Sequence, residues 1–388
     1  MGLFQLLDRR GIRTTWRGAK IYLFGKRRMS RVHGIRMFFK IRTNALLLKN
    51  VSIHKLVRHA EVRFWVDGKD AFRRIERFIR RAKHTIIIEM FIWKDDETGR
   101  RIADLLVQAA DRGVQVDITK ESVGDVFEFA EDFLSTKSRG SGVWKRFWKH
   151  NNIHIHHQVG DNHSKTFIID GEVILLTGMN IGNEYKYDWH DYLVELSGTR
   201  FVEQYLTNSR KHTIHDTVQL VVNREGRKEL RTALETLLKS AKLSIVIEMA
   251  YFSDPAIMDL IAKRSRDGVR VTLIFPTDPD VHHNANLVSI ENLLKNGERK
   301  KLRILQYPTM LHGKLILVDR HRALVGSMNF TTSSLDQMGE ANVLIEKHHK
   351  IALQKIRFML RRDIARSRLI QNPPKLRWLG RWLAWVGL

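Results

Sequence analysis

The chain has 388 residues, 43% of them hydrophobic, with six prolines, no cysteine and a formal net charge of +25. That length and apolar content supply a core large enough for two domains or one duplicated domain and argue against a disordered chain. The lack of cysteine excludes disulfides, thiolate metal sites and cysteine nucleophiles, and is compatible with a reducing compartment. No run of about 18 apolar residues occurs, so no spanning helix is expected. The N-terminus has neither a signal-peptide pattern nor the Ser or Thr of a myristoylation signal.

The charge is unevenly placed. Residues 1–50 carry +12 and residues 350–388 carry +9, which leaves +4 for the 299 residues between them. A nuclease would place positive charge along the groove that holds its active site. Basic ends interleaved with Trp, Phe and Leu are better suited to an anionic membrane surface.

In chain order, the N-terminal arm mixes Arg9, Arg10, Arg13, Arg17, Lys20 and Lys26–Arg28 with Phe4, Trp16, Tyr22 and Phe24. It reads as an interfacial segment. The first α/β half then runs from 51 to 215. Glu61–Trp65 is expected as a strand, Ala71–Lys83 as a helix with Phe72, Ile75, Phe78 and Ile79 on one face, and Thr85–Trp93 as a buried strand. Arg101–Arg112 is expected as a helix ended by Gly113, and Val114–Ile118 as the next strand. From Lys120 to Gln158 the pattern is irregular, with a helix expected over Phe127–Lys137 and an aromatic group at Trp144, Phe147 and Trp148; such a segment is either substrate-facing or a surface excursion.

The second half, 216–349, repeats the first. Strands are expected at Val218–Val222, Leu243–Phe252 and Val269–Phe275, with helices over Arg227–Lys242 and Ile257–Asp267. Ile88-Glu89-Met90 returns as Ile247-Glu248-Met249, and Asp111-Arg112-Gly113-Val114 as Arg266-Asp267-Gly268-Val269. The fold class is therefore α/β, built from two homologous halves of mixed sheet flanked by helices. Residues 350–388 form a basic helix, Ile351–Ile370, then Pro373-Pro374 and a tail. That tail places Trp378, Trp382 and Trp385 on one side of a helix too short to cross a bilayer, so it is expected to lie in the interface.

The polar signal lies in a second duplication. His163, Lys165, Asp170 and Asn180 recur as His312, Lys314, Asp319 and Asn329 at a constant offset of 149, which also carries Asp191 to Glu340. Each histidine precedes a hydrophobic strand, so the lysine two residues later projects to the same side. Two such halves facing one another would surround one anion with two imidazoles and two ammonium groups. That set suits displacement at a phosphodiester, with one imidazole attacking phosphorus and the other protonating the leaving alkoxide. The lysines, Asn180 and Asn329 would offset charge on the non-bridging oxygens. Asp191 and Glu340 are expected to hold the second ring nitrogens, and Asp170 and Asp319 suit bracing a turn beyond the strands. The scheme needs no metal and no cofactor. His154, His156, His157, His282 and His283 lack such support and read as surface or strand-end residues.

These paired motifs, each His-x-Lys-x4-Asp, with Gly326-Ser327-Met328-Asn329 after the second, resemble the phospholipase D superfamily over roughly residues 55–349. The stretch Thr177-Gly178-Met179-Asn180-Ile181-Gly182-Asn183-Glu184-Tyr185 resembles its bacterial cardiolipin synthase branch, and the compact chain is similar to that branch's shorter members. The resemblance implies a pseudo-twofold pair of halves with one active site between them and a phosphohistidine intermediate. It makes His163 the nucleophile and His312 the general acid/base, and counts Lys165, Lys314, Asp170 and Asp319 in the catalytic set. Thr177 and Gly178 depart from the signature, so Ser327 has no hydroxyl counterpart and the halves are expected to bind phosphate unequally. The expected function is phosphatidyl transfer from phosphatidylglycerol to a second phospholipid on the cytoplasmic face of a cell membrane, with the protein held peripherally by its basic arms. Hydrolysis to phosphatidic acid is the nearest alternative. A nuclease is disfavoured by the charge placement, and a non-catalytic scaffold by two intact motifs.

Overall fold

The computed structural model describes residues 61–122, 124, 142–160, 162–207 and 217–372. The N-terminal arm, the helix expected over Phe127–Lys137 and the tail Lys375–Leu388 lie outside these residues.

The first half consists of strands β1 (Glu61–Val66), β2 (Thr85–Met90), β3 (Gln115–Glu121), β4 (Ile153–Gln158), β5 (Lys165–Ile169), β6 (Val173–Thr177) and β7 (Tyr192–Ser197), with helices α1 (Gly68–Arg81), α2 (Glu97–Asp111), α3 (Gly142–Lys149), α4 (Asn183–Tyr187) and α5 (Thr199–Leu206). The second has β8 (Val218–Arg224), β9 (Arg227–Lys228), β10 (Ser244–Met249), β11 (Arg270–Pro276), β12 (Leu302–Tyr307), β13 (Lys314–Val318), β14 (Arg322–Gly326), β15 (Glu340–Ile345) and β16 (Arg368–Leu369), with α6 (Leu230–Lys239), α7 (Pro255–Arg266), α8 (His283–Asn296) and α9 (Lys350–Arg366). The first sheet runs β1-β7-β6-β5-β2-β3-β4. The second runs β9-β8-β15-β14-β13-β10-β11-β12-β16, the same order with a short strand added at each edge. In both, the three strands joined by helical crossovers are parallel and the rest antiparallel.

Alternation along the central strands produces three cores. In β5, Phe167 and Ile169 join the buried faces of α1 and α2, while Ile168 points the other way. In β13, Ile316 and Val318 join α6, α7 and α8, while Leu315 and Leu317 face Ile168, Leu176 and Val194 of the first sheet. The two sheets therefore share an interior, completed by Phe201, Val202 and Tyr205 of α5 and Leu353, Ile356 and Leu360 of α9. Facing sheets bring the strand ends that carry the two motifs together.

Within the described residues the expected elements are present, with shifted ends that have local causes. Helix α2 starts at its cap, Asp96, whose carboxylate accepts the Gly99 N–H at 2.8 Å, and α7 starts with Asp254 capping Ile257 before Pro255. Gly113 and Gly268, both at φ +92°, end these helices in the left-handed region. The helix expected from Arg227 begins at Leu230 instead, because Gly226 (φ +73°) turns the chain back and Arg227–Lys228 pairs with Asn223–Arg224. The terminal helix stops at Arg366, and Arg368–Leu369 adds to the edge of β12. The aromatic group of the irregular segment is part of the first core: Phe147 is buried with its ring 5.5 Å from those of Trp93 and Trp144, and only Trp148 is largely exposed.

Candidate active site

The site is assembled by backbone pairing across the halves. The segment before β5 pairs with the segment before β15 at Asn162 and Gly339, and the segment before β7 pairs with the segment before β13 at His190 and Leu311. Residues 162 and 311, and 190 and 339, are equivalent at the offset of 149, so the two bridges are symmetry mates. The His163 N–H donates to the Gly339 carbonyl at 2.8 Å, and the His312 N–H to the His190 carbonyl at 2.9 Å. Each bridge sets the histidine of one half beside the acid of the other. His163 Nδ1 lies 3.1 Å from Glu340 Oε1, and His312 Nδ1 lies 2.7 Å from Asp191 Oδ2. Both carboxylates are buried. An ionised carboxylate on Nδ1 requires the ring proton there and leaves Nε2 free as nucleophile or proton carrier.

The lysines are fully buried. Lys165 donates from Nζ to the His163 carbonyl at 2.6 Å, and Lys314 makes the matching bond to the His312 carbonyl. Each bond ties an ammonium group to its own histidine and fixes its place beside the ring. Burial brings Lys165 down to about 7 and Lys314 to about 8. Burial also lowers His163, assisted by Lys165 and opposed by Glu340. Burial and Lys314 lower His312 to about 4, against the pull of Asp191. Burial alone would raise the two carboxylates, but His163 and Lys165 outweigh it at Glu340, and His312 and Lys314 at Asp191, holding both low. With both imidazoles neutral the two ammonium groups offset the two carboxylates, so an anion entering this buried site would favour protonation of an imidazole.

A family model described as "Cardiolipin synthase, PLD-like domain" matches residues 75–212 and 234–363. The chain belongs to that family. Relatives in it include the major cardiolipin synthase ClsA of Bacillus subtilis (strain 168), 28% identical over 72% of this chain and 64% of that protein. The match therefore spans 64% of that relative's length. Cardiolipin synthase B of Escherichia coli (strain K12) is 27% identical over 73% of this chain and 76% of its own. Among solved structures, phosphatidylserine synthase of Haemophilus influenzae Rd KW20 has a TM-score of 0.64 at 14% identity, over 84% of this chain and 91% of that one. Polyphosphate kinase of Porphyromonas gingivalis has a TM-score of 0.56 at 13% identity, over 84% and 52%. These two likenesses concern the fold.

Not every residue of the family's paired motif lies in the site. Asp170 and Asp319 stand at the far ends of β5 and β13, at φ +52° and +50°. Asp170 accepts backbone N–H groups of Lys83, His84 and Thr85, and Asp319 those of Lys242, Leu243 and Ser244. Their carboxylates pin the turn that launches β2 or β10, which corrects the expectation that they join the catalytic set; bracing a turn is what they do. Ser327 is also reassigned. Its buried hydroxyl donates to Glu340 Oε2, while Ser334 holds Oε1 at 2.6 Å, so it steadies the carboxylate rather than facing a phosphate. Asn180 is held by the Ile92 N–H and the Tyr185 hydroxyl. In Asn329 the side-chain oxygen is buried without a hydrogen-bond partner. His156 and His157 are exposed on β4, the edge strand of the first sheet.

Several site residues were not picked out from the sequence. Phe91 lies edge-on to His163 with ring centres 5.0 Å apart. Tyr185, Trp189 and Tyr251 surround His312 at 5.5, 5.2 and 6.0 Å. Tyr251 donates its hydroxyl to Asp280. Phe91 and Tyr251 come from the chain just past β2 and β10, Tyr185 from α4, and Trp189 from the segment between α4 and β7. The one local signal for them was that Phe91 and Tyr251 closely follow the repeated Ile-Glu-Met phrases.

Proposed function

We propose that this chain is a phosphatidyltransferase that moves a phosphatidyl group from phosphatidylglycerol, through a phosphohistidine, to the hydroxyl of a second phospholipid. Glycerol leaves and cardiolipin forms. The observation that carries this reading is the pair of cross-half dyads, His163–Glu340 and His312–Asp191, with a buried lysine beside each.

His163 is the nucleophile. Its Nδ1 proton is held by Glu340, its imidazole is neutral at pH 7, and its side chain is the more accessible of the two, 13% exposed against 5% for His312. Nε2 attacks phosphorus; the P–N bond forms as the P–O bond to glycerol breaks. His312 supplies the proton to the departing glycerol oxygen. The phosphodiester charge favours the protonated ring, against the burial that empties it in the free enzyme. Lys165 and Lys314 offset charge on the non-bridging oxygens. In the second step His312 takes the proton of the incoming hydroxyl, whose oxygen forms the new P–O bond as the P–N bond breaks and the His163 imidazole is released.

The substrate assignment rests on chemistry outside the dyads. Residues 1–50 and 350–388 hold most of the net positive charge, and we read them as arms that hold the two halves, 51–215 and 216–349, against the anionic cytoplasmic face of a cell membrane. In α9, Ile351 and Phe358 are 85% and 66% exposed, one turn either side of exposed Lys355 and ahead of exposed Arg361 and Arg362. An apolar ridge with basic flanks is suited to the headgroup boundary. Among the described residues no helix is long and apolar enough to cross a membrane. The names of the relatives agree with a lipid substrate.

The test gives purified protein labelled phosphatidylglycerol in vesicles, beside the His163→Ala variant. Cardiolipin with equimolar glycerol, absent in the variant, supports the reading. Phosphatidic acid as the sole product would make the chain a hydrolase, and no lipid product from a folded protein would overturn the proposal.

A further inference from the structure

The repeated Ile-Glu-Met phrase places a buried glutamate at the same point of each half, and the two are neutralised differently. Glu89 receives a full set of partners. Arg224 Nη2 lies 2.5 and 2.6 Å from its oxygens, and the Tyr205 hydroxyl, Ser164 hydroxyl and Asn162 amide donate at 2.8, 2.9 and 3.2 Å. Glu248 is fully buried and accepts only the Tyr192 hydroxyl; its Oε1 has no hydrogen-bond partner. The element that brings Arg224 to Glu89 is the end of β8. At the matching end of β1 the chain instead has Asp67 and Gly68. Gly68 has no room for a side chain, since a Cβ there would fall 2.0 Å from the Tyr185 carbonyl oxygen.

In place of a guanidinium, the Glu248 pocket holds more acid and one imidazole. Asp363 of α9 is fully buried, and neither of its oxygens has a hydrogen-bond donor. Its Oδ2 lies 3.4 Å from His190 Nε2. One ligand atom from each of His190, Glu248 and Asp363 can be chosen so that all lie within 4.8 Å of one another. His190 Nδ1 is 2.5 Å from Asp67 Oδ1, and Nε2 is 2.8 Å from the Tyr192 hydroxyl. No Lys or Arg side chain among the described residues pairs with Glu248 or Asp363. Two buried carboxylates without a fixed cation are costly, and beyond the one charge that His190 can carry they need a proton or a further counter-charge.

We propose that His190, Glu248 and Asp363 bind one divalent cation of the zinc class. One imidazole nitrogen and two carboxylates form a donor set for a first-row divalent ion, with the Tyr192 oxygen at hand for a fourth position. Asp67 completes the arrangement from behind. A carboxylate on Nδ1 keeps the proton there and turns the Nε2 lone pair toward the ion. His190 also lines a cavity of about 190 Å³ with Asp67, Lys186, Trp189, Tyr307 and Thr309, the side from which an ion would enter. The ion would join β10, α9 and the segment before β7. That segment's next residue is Asp191, and the His190 carbonyl accepts the N–H groups of both His312 and Gly313. Metal occupancy therefore bears on the orientation of His312, and His190 acts as a positioning residue for the neighbouring site.

The experiment uses the full chain after dialysis against a chelator, titrated with ZnCl2 or MnCl2. Bound metal is measured by equilibrium dialysis and elemental analysis, and the unfolding midpoint by calorimetry. Saturable uptake of one ion per chain with a rise in the midpoint is expected. Asp363→Asn and Glu248→Gln, which keep side-chain shape, should each weaken uptake at least about tenfold and abolish the rise. Circular dichroism establishes that both variants are folded, and His156→Ala on the exposed strand should bind as the parent does. Co2+ in place of zinc should give the visible absorption of a low-coordinate site. The proposal is overturned if the parent takes up no stoichiometric metal, in which case the network is held by shared protons. It is equally overturned if uptake survives in Asp363→Asn or is lost in His156→Ala. These readouts need no catalysis, so they stand apart from the phosphatidyl transfer reading.

Discussion

The two dyads occupy equivalent places, yet they are built differently. Glu340 reaches His163 with the longer side chain, and two hydroxyls, Ser327 and Ser334, grip its carboxylate. Asp191 is one methylene shorter and is held by the Tyr192 N–H at 2.7 Å, with Gly178 where the other half has Ser327. A Cβ at Gly178 would come within 2.7 Å of both Asp191 oxygens, so the glycine is what lets this carboxylate sit at the required depth. The surroundings differ in the same sense. Among the described residues His163 has one aromatic neighbour and keeps some exposure, whereas three aromatic rings surround His312, which burial and Lys314 lower to about 4. Duplication produced two equal halves, and packing made one imidazole accessible and the other enclosed. That division matches a nucleophile on one side and a proton carrier on the other.

The strongest way to break the comparison is to remove each imidazole and change the leaving group. With phosphatidylglycerol, His163→Ala and His312→Ala should both lose activity by about 10³-fold or more. With a p-nitrophenyl phosphatidyl ester, whose leaving group needs no proton, His312→Ala should regain a burst of nitrophenol while His163→Ala should not. A burst in His163→Ala would reverse the assignment. Next in size are the acids. Asp191→Asn and Glu340→Gln should each cost about 10²-fold in kcat with little change in KM, because orientation and ring-proton placement are lost while the lysines stay. Equal losses in kcat and affinity would point to a binding role instead.

A pH series sharpens the comparison of the lysines. Lys165 and Lys314 titrate near 7 and 8 in the free site, and only their protonated forms attract an anion. Inhibition by inorganic phosphate or tungstate should therefore weaken as pH rises through 7 to 8. Lys165→Met should remove the lower-pH part of that loss, measured as the inhibition constant at each pH. The smallest catalytic effect is expected at the turn-bracing residue. Asp170→Ala removes a carboxylate that accepts three backbone N–H groups and should cost about 2 kcal/mol of stability. Activity per folded molecule should change by less than about twofold. A large fall in kcat for the folded variant would return Asp170 to the catalytic set.

Much of this is legible in the amino-acid sequence, because duplication is a one-dimensional signal. The offset of 149 locates His163, Lys165, His312 and Lys314, and the apolar runs that follow locate β5 and β13. The pairing of the acids is not legible in that way. Sequence register joins Asp191 to His163, yet the backbone bridge at His190 and Leu311 delivers Asp191 to His312. Nothing periodic encodes a contact between halves. The aromatic walls escape a sequence reading because Trp189 sits between α4 and β7 and Tyr251 past the end of β10, where neither the period of 2 nor that of 3.6 applies. Ser327 is misread because a hydroxyl in a phosphate-binding signature looks the same whether it faces the ligand or a buried carboxylate.

The central claim is that one imidazole, His163, carries the phosphatidyl group while His312 moves the proton. Acid quenching during turnover of phosphatidylglycerol labelled at phosphorus, followed by peptide mapping, tests it directly. The account predicts acid-labile label on the peptide containing His163, lost in His163→Ala and retained in Glu340→Gln at a lower rate. Label on the His312 peptide, or cardiolipin formed with no covalent label at any time, would contradict it.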